Sequence, residues 1–172
     1  IRSLHQIMTG LKLHLLALAV LSVLLSQTQL LHSSVEIGSI SEVRGNAQVL
    51  RDKPYGAELA FNIQQMDDVR TESGRVAITF ADSSTVKLTE HSKLVIDEYI
   101  YDPDPSKSKM ALKFASGTAR FITGKFNNKS NISIRTPTAD IAIRGTDFTC
   151  TVDELGRSLV ILLPDENGIS SG

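Results

Sequence analysis

The chain has 172 residues, 41% of them hydrophobic, and a formal net charge of −1 with basic and acidic residues interspersed. That composition suits one globular domain with a real core; it excludes a disordered tail and the basic stripe that nucleic-acid binding requires. Cys150 is the only cysteine, and His91 is the only histidine outside the N-terminal leader and its border, since His5, His14 and His32 lie there. An internal disulfide is therefore impossible, and neither a Cys/His zinc site nor a Ser-His-Asp site has enough members.

The first residue is Ile and the last stretch, Asp165 to Gly172, is polar and loop-like, so the sequence reads as a piece cut at one or both ends. Residues 1–34 form the leader. Met8 serves as a start, followed by Lys12, the apolar run Leu13 to Leu25 and the polar Ser26-Gln27-Thr28-Gln29. A basic start, an apolar centre and a polar end predict a secretory signal helix, with Ser26 and Thr28 as the small residues before a cleavage site. The run is shorter than the about 20 residues of a spanning helix, yet Leu30 and Leu31 extend it, so an uncleaved anchor stays open as the alternative. Membrane association is expected only through this segment, and the chain is read as exported, periplasmic or extracellular.

Residues 35–164 read as one all-β domain, with 165–172 opening a C-terminal tail. Ile37, Ile40 and Val43 lead into the turn Arg44-Gly45-Asn46, after which Ala47 and Val49 alternate. Leu59, Phe61 and Ile63 follow, then a turn at Thr71 to Gly74. Val76, Ile78 and Phe80 share a face, Asp82-Ser83-Ser84 turns, Val86 and Leu88 share a face, and so do Leu94 and Ile96. A period of two marks strands with one buried face. Because the apolar pairs recur about every ten residues, the expected arrangement is a solenoid or roll of short strands stacked as rungs. An antiparallel β-sandwich built from hairpins is the alternative.

Asp102 to Lys107 is a loop by composition. Leu112 and Phe114 resume the alternation, Ser116-Gly117 reads as a turn, and Phe121-Ile122 follow. In Asn131 to Val152, three short alternating pieces are joined by tight corners at Thr136-Pro137 and Arg144-Gly145-Thr146. Glu154 to Arg157 reverses the chain into Val160 to Leu163, apolar on both faces as a central strand would be.

These residues resemble the FecR domain family, named for the periplasmic part of a bacterial iron-citrate regulator. The resemblance rests on Gly38-x-Ile40-x-x-Val43-x-Gly45, Asp68-Val69-Arg70-Thr71 with Ser73-Gly74, and Ile78-x-Phe80-x-Asp82-Ser83-Ser84 with Val86-x-Leu88. It continues through Phe114-x-x-Gly117 and is most specific at Thr136-Pro137-Thr138-Ala139 with Ile143-Arg144-Gly145-Thr146-Asp147-Phe148. It implies an exported all-β module that relays signals or binds partners and does not catalyse. Only seven residues precede Met8, so the module is expected to carry over and the anti-sigma role of the regulators is not.

Each candidate site has a structural reading beside the functional one. Arg144 beside the Gly145 corner could grip a carboxylate or phosphate, but Gly145 as a corner that only glycine tolerates, with Thr146 bonded across it, explains the motif more simply. Thr136 and Pro137 are read the same way. Asp102 and Asp104, with Asp97 and Glu98, offer oxygen ligands, yet their spacing lacks the remaining features of a calcium loop and reads as a solvated acidic turn. Tyr99 and Tyr101 fall on one face of a strand, either as a contact patch for a sugar or protein or as a cover for the end of the core. His91 sits in a turn, and Cys150 alternates with Phe148 and Val152 as a buried hydrophobe. No catalytic residue, metal site or cofactor is expected. The partner is expected to be an envelope protein or a polysaccharide, with a signal-relay domain serving an effector outside this chain as the alternative.

Overall fold

The computed structural model describes residues 36–100, 102, 104, 106–124, 131–143 and 147–164. The leader, Tyr101 and the Arg144-Gly145-Thr146 corner lie outside the described residues. Thirteen strands follow one another in the described chain: β1 (Glu36–Arg44), β2 (Ala47–Leu50), β3 (Pro54–Gly56), β4 (Asn62–Gln64), β5 (Asp68–Thr71), β6 (Arg75–Phe80), β7 (Thr85–Leu88), β8 (Lys93–Ile100), β9 (Lys109–Ile122), β10 (Asn131–Arg135), β11 (Asp140–Ile143), β12 (Phe148–Val152) and β13 (Ser158–Leu162). Among the described residues there is no helix, and so none that could cross a membrane.

β9 organises the sheet because two sets of strands share it. Its first half pairs antiparallel with β8, from Ile100↔Lys109 to Lys93↔Ser116, and parallel with β10, from Asn131↔Lys109 to Arg135↔Lys113. Its second half pairs antiparallel with β7, from Leu88↔Ala119 to Thr85↔Ile122, and with β12, from Val152↔Gly117 to Phe148↔Phe121. One arm therefore runs β3-β2-β5-β8-β9-β10-β11, and the other β4-β1-β6-β7-β9-β12-β13.

The join is Gly117, whose φ of 92° is open to glycine and strained for other residues. A Cβ there would lie 2.5 Å from Ser92 Cα and 2.7 Å from Ser92 Cβ, so the residue just before β8 also forbids a side chain. The glycine shifts the alternation as well: Met110, Leu112 and Phe114 are buried before it, Ala119 and Phe121 after it. What reads in sequence as two strands and a turn is one strand that bends without reversing.

The arms curl over one core. Phe114, Ile78, Leu88, Leu94, Ile96 and Ile134 are among its fully buried members, each contributing about 1.5–3 kcal/mol by leaving water. Phe121 stacks on Phe148 at 4.7 Å and meets the edge of Phe114 at 6.3 Å. Phe80 from one arm stacks on Tyr99 from the other at 5.3 Å, tying the arms together.

Two expectations change. The strands do not stack as parallel rungs of a solenoid: every pairing but β9–β10 is antiparallel, and the ten-residue spacing of β6, β7 and β8 reflects tight reversals and long-range partners. The architecture is one curled, largely antiparallel sheet, half-barrel in form, rather than two packed sheets. The last strand is also not central. β13 pairs only with β12 among the described strands, and Leu159, Val160, Ile161 and Leu162 are 59, 37, 52 and 46% exposed.

Candidate functional site

Most polar residues singled out from sequence brace the fold. Asp82, in the β6–β7 turn, is fully buried and accepts hydrogen bonds from the Tyr99 hydroxyl (3.1 Å), the Ser84 amide (3.1 Å) and the Ser84 hydroxyl. The Asp82 amide donates back to the Tyr99 oxygen at 3.0 Å, and the Gly124 amide donates to Ser84 Oγ at 3.0 Å. Tyr99 is therefore an interior clamp, which removes it from any surface contact patch. It points inward because β8 shifts register between Ile96 and Glu98, a bulge that moves the buried face by one residue.

The acidic loop closes on itself. Asp102 Oδ1 accepts from the Asp104 amide at 2.8 Å, and Asp104 Oδ1 accepts from the Ser106 amide at 3.1 Å and its hydroxyl at 2.8 Å. Asp97 and Glu98 are each 2.7 Å from a lysine on β9, Lys113 and Lys109 respectively. These carboxylates serve as turn formers and surface ion pairs rather than as one converging ligand set.

The Thr136-Pro137 corner is likewise structural. The buried Thr136 accepts the Ala139 amide at 3.0 Å on its hydroxyl, which shares a 2.6 Å hydrogen bond with Ser158. Thr138 donates to the Gly156 carbonyl at 2.7 Å, so this corner is bound to the β12–β13 turn. His91 stands exposed in a turn at φ 54°. Cys150 is fully buried, and burial pushes its thiol up from the ordinary range, leaving little reactive thiolate.

An ion pair between an exposed arginine and a buried aspartate escaped the sequence reading. Arg51 Nε and Nη2 donate to the two carboxylate oxygens of the fully buried Asp67, at 2.8 and 2.7 Å, while the Gln64 amide donates to Asp67 Oδ2 at 2.9 Å. The hydrogen bond to Asp67 raises the Arg51 pKa above its already high value, and the guanidinium lies 5.5 Å from the Phe61 ring centroid. It fastens the irregular stretch after β2 to the turn before β5.

What remains open is the outer face of the second arm. The cross-strand register sets Ala77, Lys87, Arg120, Thr149 and Ile161 in one row across β6, β7, β9, β12 and β13. Lys87 and Arg120 stand directly opposite each other, a like-charge pair that a sheet does not gain from by itself. They line an open groove of about 360 Å³ with Arg75, Glu42 and the threonines Thr89, Thr118 and Thr149. Arg75 reaches Glu90 at 3.5 Å and Arg120 reaches Asp147 only at 3.9 Å, while Lys87 has no ion-pair partner among the described residues. Sequence alone singled out neither Lys87 nor Arg120. Their adjacency needed the β7–β9 pairing.

With this geometry in place, comparison with known proteins decides the family. The profile of the family described as FecR protein matches residues 67–164, more than half of the chain. The chain belongs to the FecR family. No curated protein and no solved structure matches it. The FecR match covers β5 to β13, including both halves of β9 and the Lys87–Arg120 row; it begins at Asp67, beyond β1 to β4.

Proposed function

We propose that this FecR domain is an exported, non-catalytic interaction module that binds an anionic component of the cell envelope along the outer face of its second arm. The observation carrying this reading is the Lys87–Arg120 pair: two opposed cations, weakly neutralised, in a hydroxyl-lined groove. A carboxylate or phosphate between them would replace mutual repulsion with charge-assisted hydrogen bonds. The Thr149 hydroxyl beside them offers a donor and acceptor to sugar hydroxyls, while those of Thr89 and Thr118 already bond the Thr118 carbonyl and Thr151; this favours an acidic wall polysaccharide. The family supplies the cellular setting, a domain related to periplasmic regulators.

Co-sedimentation with a purified acidic cell-wall polysaccharide tests the proposal, with a neutral glucan as control. The acidic polymer should bind in a salt-sensitive way, and the Lys87→Glu, Arg120→Glu double variant should bind at least tenfold more weakly with an unchanged circular dichroism spectrum. Equal binding by the double variant, or equal binding of the neutral glucan, would refute it.

A further inference from the structure

The described sheet has four edge strands, and three are protected against pairing with another chain. β3 is three residues long and begins with Pro54, β4 is only three residues, and β11 carries Asp140 in an ion pair with Arg135 at 3.0 Å. β13 has none of these devices. Its five residues, Ser-Leu-Val-Ile-Leu, contain no charge, proline or glycine, and the four aliphatic side chains are all substantially exposed.

The backbone of β13 is also open in a particular pattern. The Leu163 amide donates to the Asp147 carbonyl at 2.8 Å, and the Asp153 amide donates to the Arg157 carbonyl at 3.1 Å. Hydrogen-bonded and non-bonded pairs alternate along an antiparallel ladder, so Ile161 and Leu159 bond toward β12. The N–H and C=O groups of Ser158, Val160 and Leu162 consequently point outward. This set is symmetric about Val160.

We propose that β13 pairs antiparallel with β13 of a second copy of this chain, with the two-fold axis at Val160. The outward groups of Ser158, Val160 and Leu162 then meet those of Leu162, Val160 and Ser158 in the other copy, and none is left over. Any covering strand needs apolar residues on both faces, because Val160 and Leu162 continue the row of Cys150 and Phe148 while Leu159 and Ile161 lie on the other face. β13 itself meets that need: Leu159 lies over Ile161, Val160 over Val160, and no like charges meet. With four side chains and five backbone units per copy, the contact falls below the roughly 1,200 Å² of a stable interface, so the pair is weak and reversible. The axis passes through the sheet, so both Lys87–Arg120 grooves face the same side. On the ligand reading above the pair is bivalent, but the test below does not depend on that reading.

The test is crosslinking of the full chain with a short bifunctional thiol reagent. Val160→Cys places the new thiol opposite its copy, with Cα atoms about 5.5 Å apart. Leu155→Cys, in the exposed turn, puts the two thiols about 30 Å apart at roughly 3.3 Å per residue from the axis. The buried Cys150 does not compete. A dimer band for Val160→Cys, at least tenfold stronger than for Leu155→Cys, is the expected result. In sedimentation, wild type should associate with concentration, and Val160→Pro, which removes an outward N–H and no hydrogen bond to β12, should remain folded and monomeric. Should that variant fail to fold, Ile161→Lys, on a half-exposed side chain, supplies the same comparison. No crosslink at 160, equal crosslinking at 155 and 160, or undiminished association of the folded variant would each overturn the proposal.

Discussion

Replacing Gly117 with alanine probes the bend on which both arms depend. Two penalties add at this position. A non-glycine residue held near φ 92° costs about 1–3 kcal/mol, and forcing a methyl group toward the Ser92 backbone costs about another 1–3 kcal/mol. Ser92 cannot yield easily, because its hydroxyl accepts from the Thr118 amide and donates to the Thr118 carbonyl, both at 3.2 Å. A loss near 3 kcal/mol, with a urea dependence of about 2 kcal/mol per molar, moves the unfolding midpoint down by about 1.5 M. Urea titration followed by circular dichroism gives the number. Gly56→Ala is the control, since a Cβ there meets nothing within 4 Å. If Gly117→Ala unfolds within about 0.3 M of wild type, the bend is not where β9 is constrained and the shared-strand account is wrong.

Tyr99→Phe deletes the hydroxyl that donates to Asp82 and accepts from its amide, and should cost about 1–2 kcal/mol in the same titration; no loss would mean that the clamp is ornamental. Asp153 should titrate below the ordinary carboxylate value of about 3.9, because the Arg157 amide and then its guanidinium hold the charged form. A depressed folded pKa gives stabilisation that is present above pH about 4 and lost as pH falls through the folded value, so the β12–β13 turn should loosen only in stronger acid. NMR of the Leu155 and Arg157 amides checks this, and an inflection at or above pH 4 would contradict it. Cys150 should resist a thiol reagent in the native protein at pH 8 and react fully in denaturant; immediate native labelling would show that its burial is misplaced.

Local alternation carried the parts of the fold governed by one buried face. Val76, Ile78 and Phe80, then Val86 and Leu88, then Leu94 and Ile96 are buried as their spacing requires. The pairing between these segments was not legible, because an apolar pair every ten residues serves a parallel rung and an antiparallel hairpin equally well. Gly117 looked like a turn because glycine punctuates turns and bends alike. The bulge before Glu98 turned Tyr99 inward against strict parity. β13 looked central because its apolar residues occupy both faces, a pattern that an uncovered edge shares. At the site, neither Lys87 nor Arg120 stood out in the sequence, because their juxtaposition is a property of the register.

Cross-strand NMR contacts along β9 test the central claim most directly. The account predicts that Leu112 shows contacts to both Ile96 and Ile134, and that the backbone of Arg120 shows contacts to both Lys87 and Thr149. A set of parallel contacts linking β6, β7 and β8 in successive register, with Arg120 touching neither Lys87 nor Thr149, would contradict it.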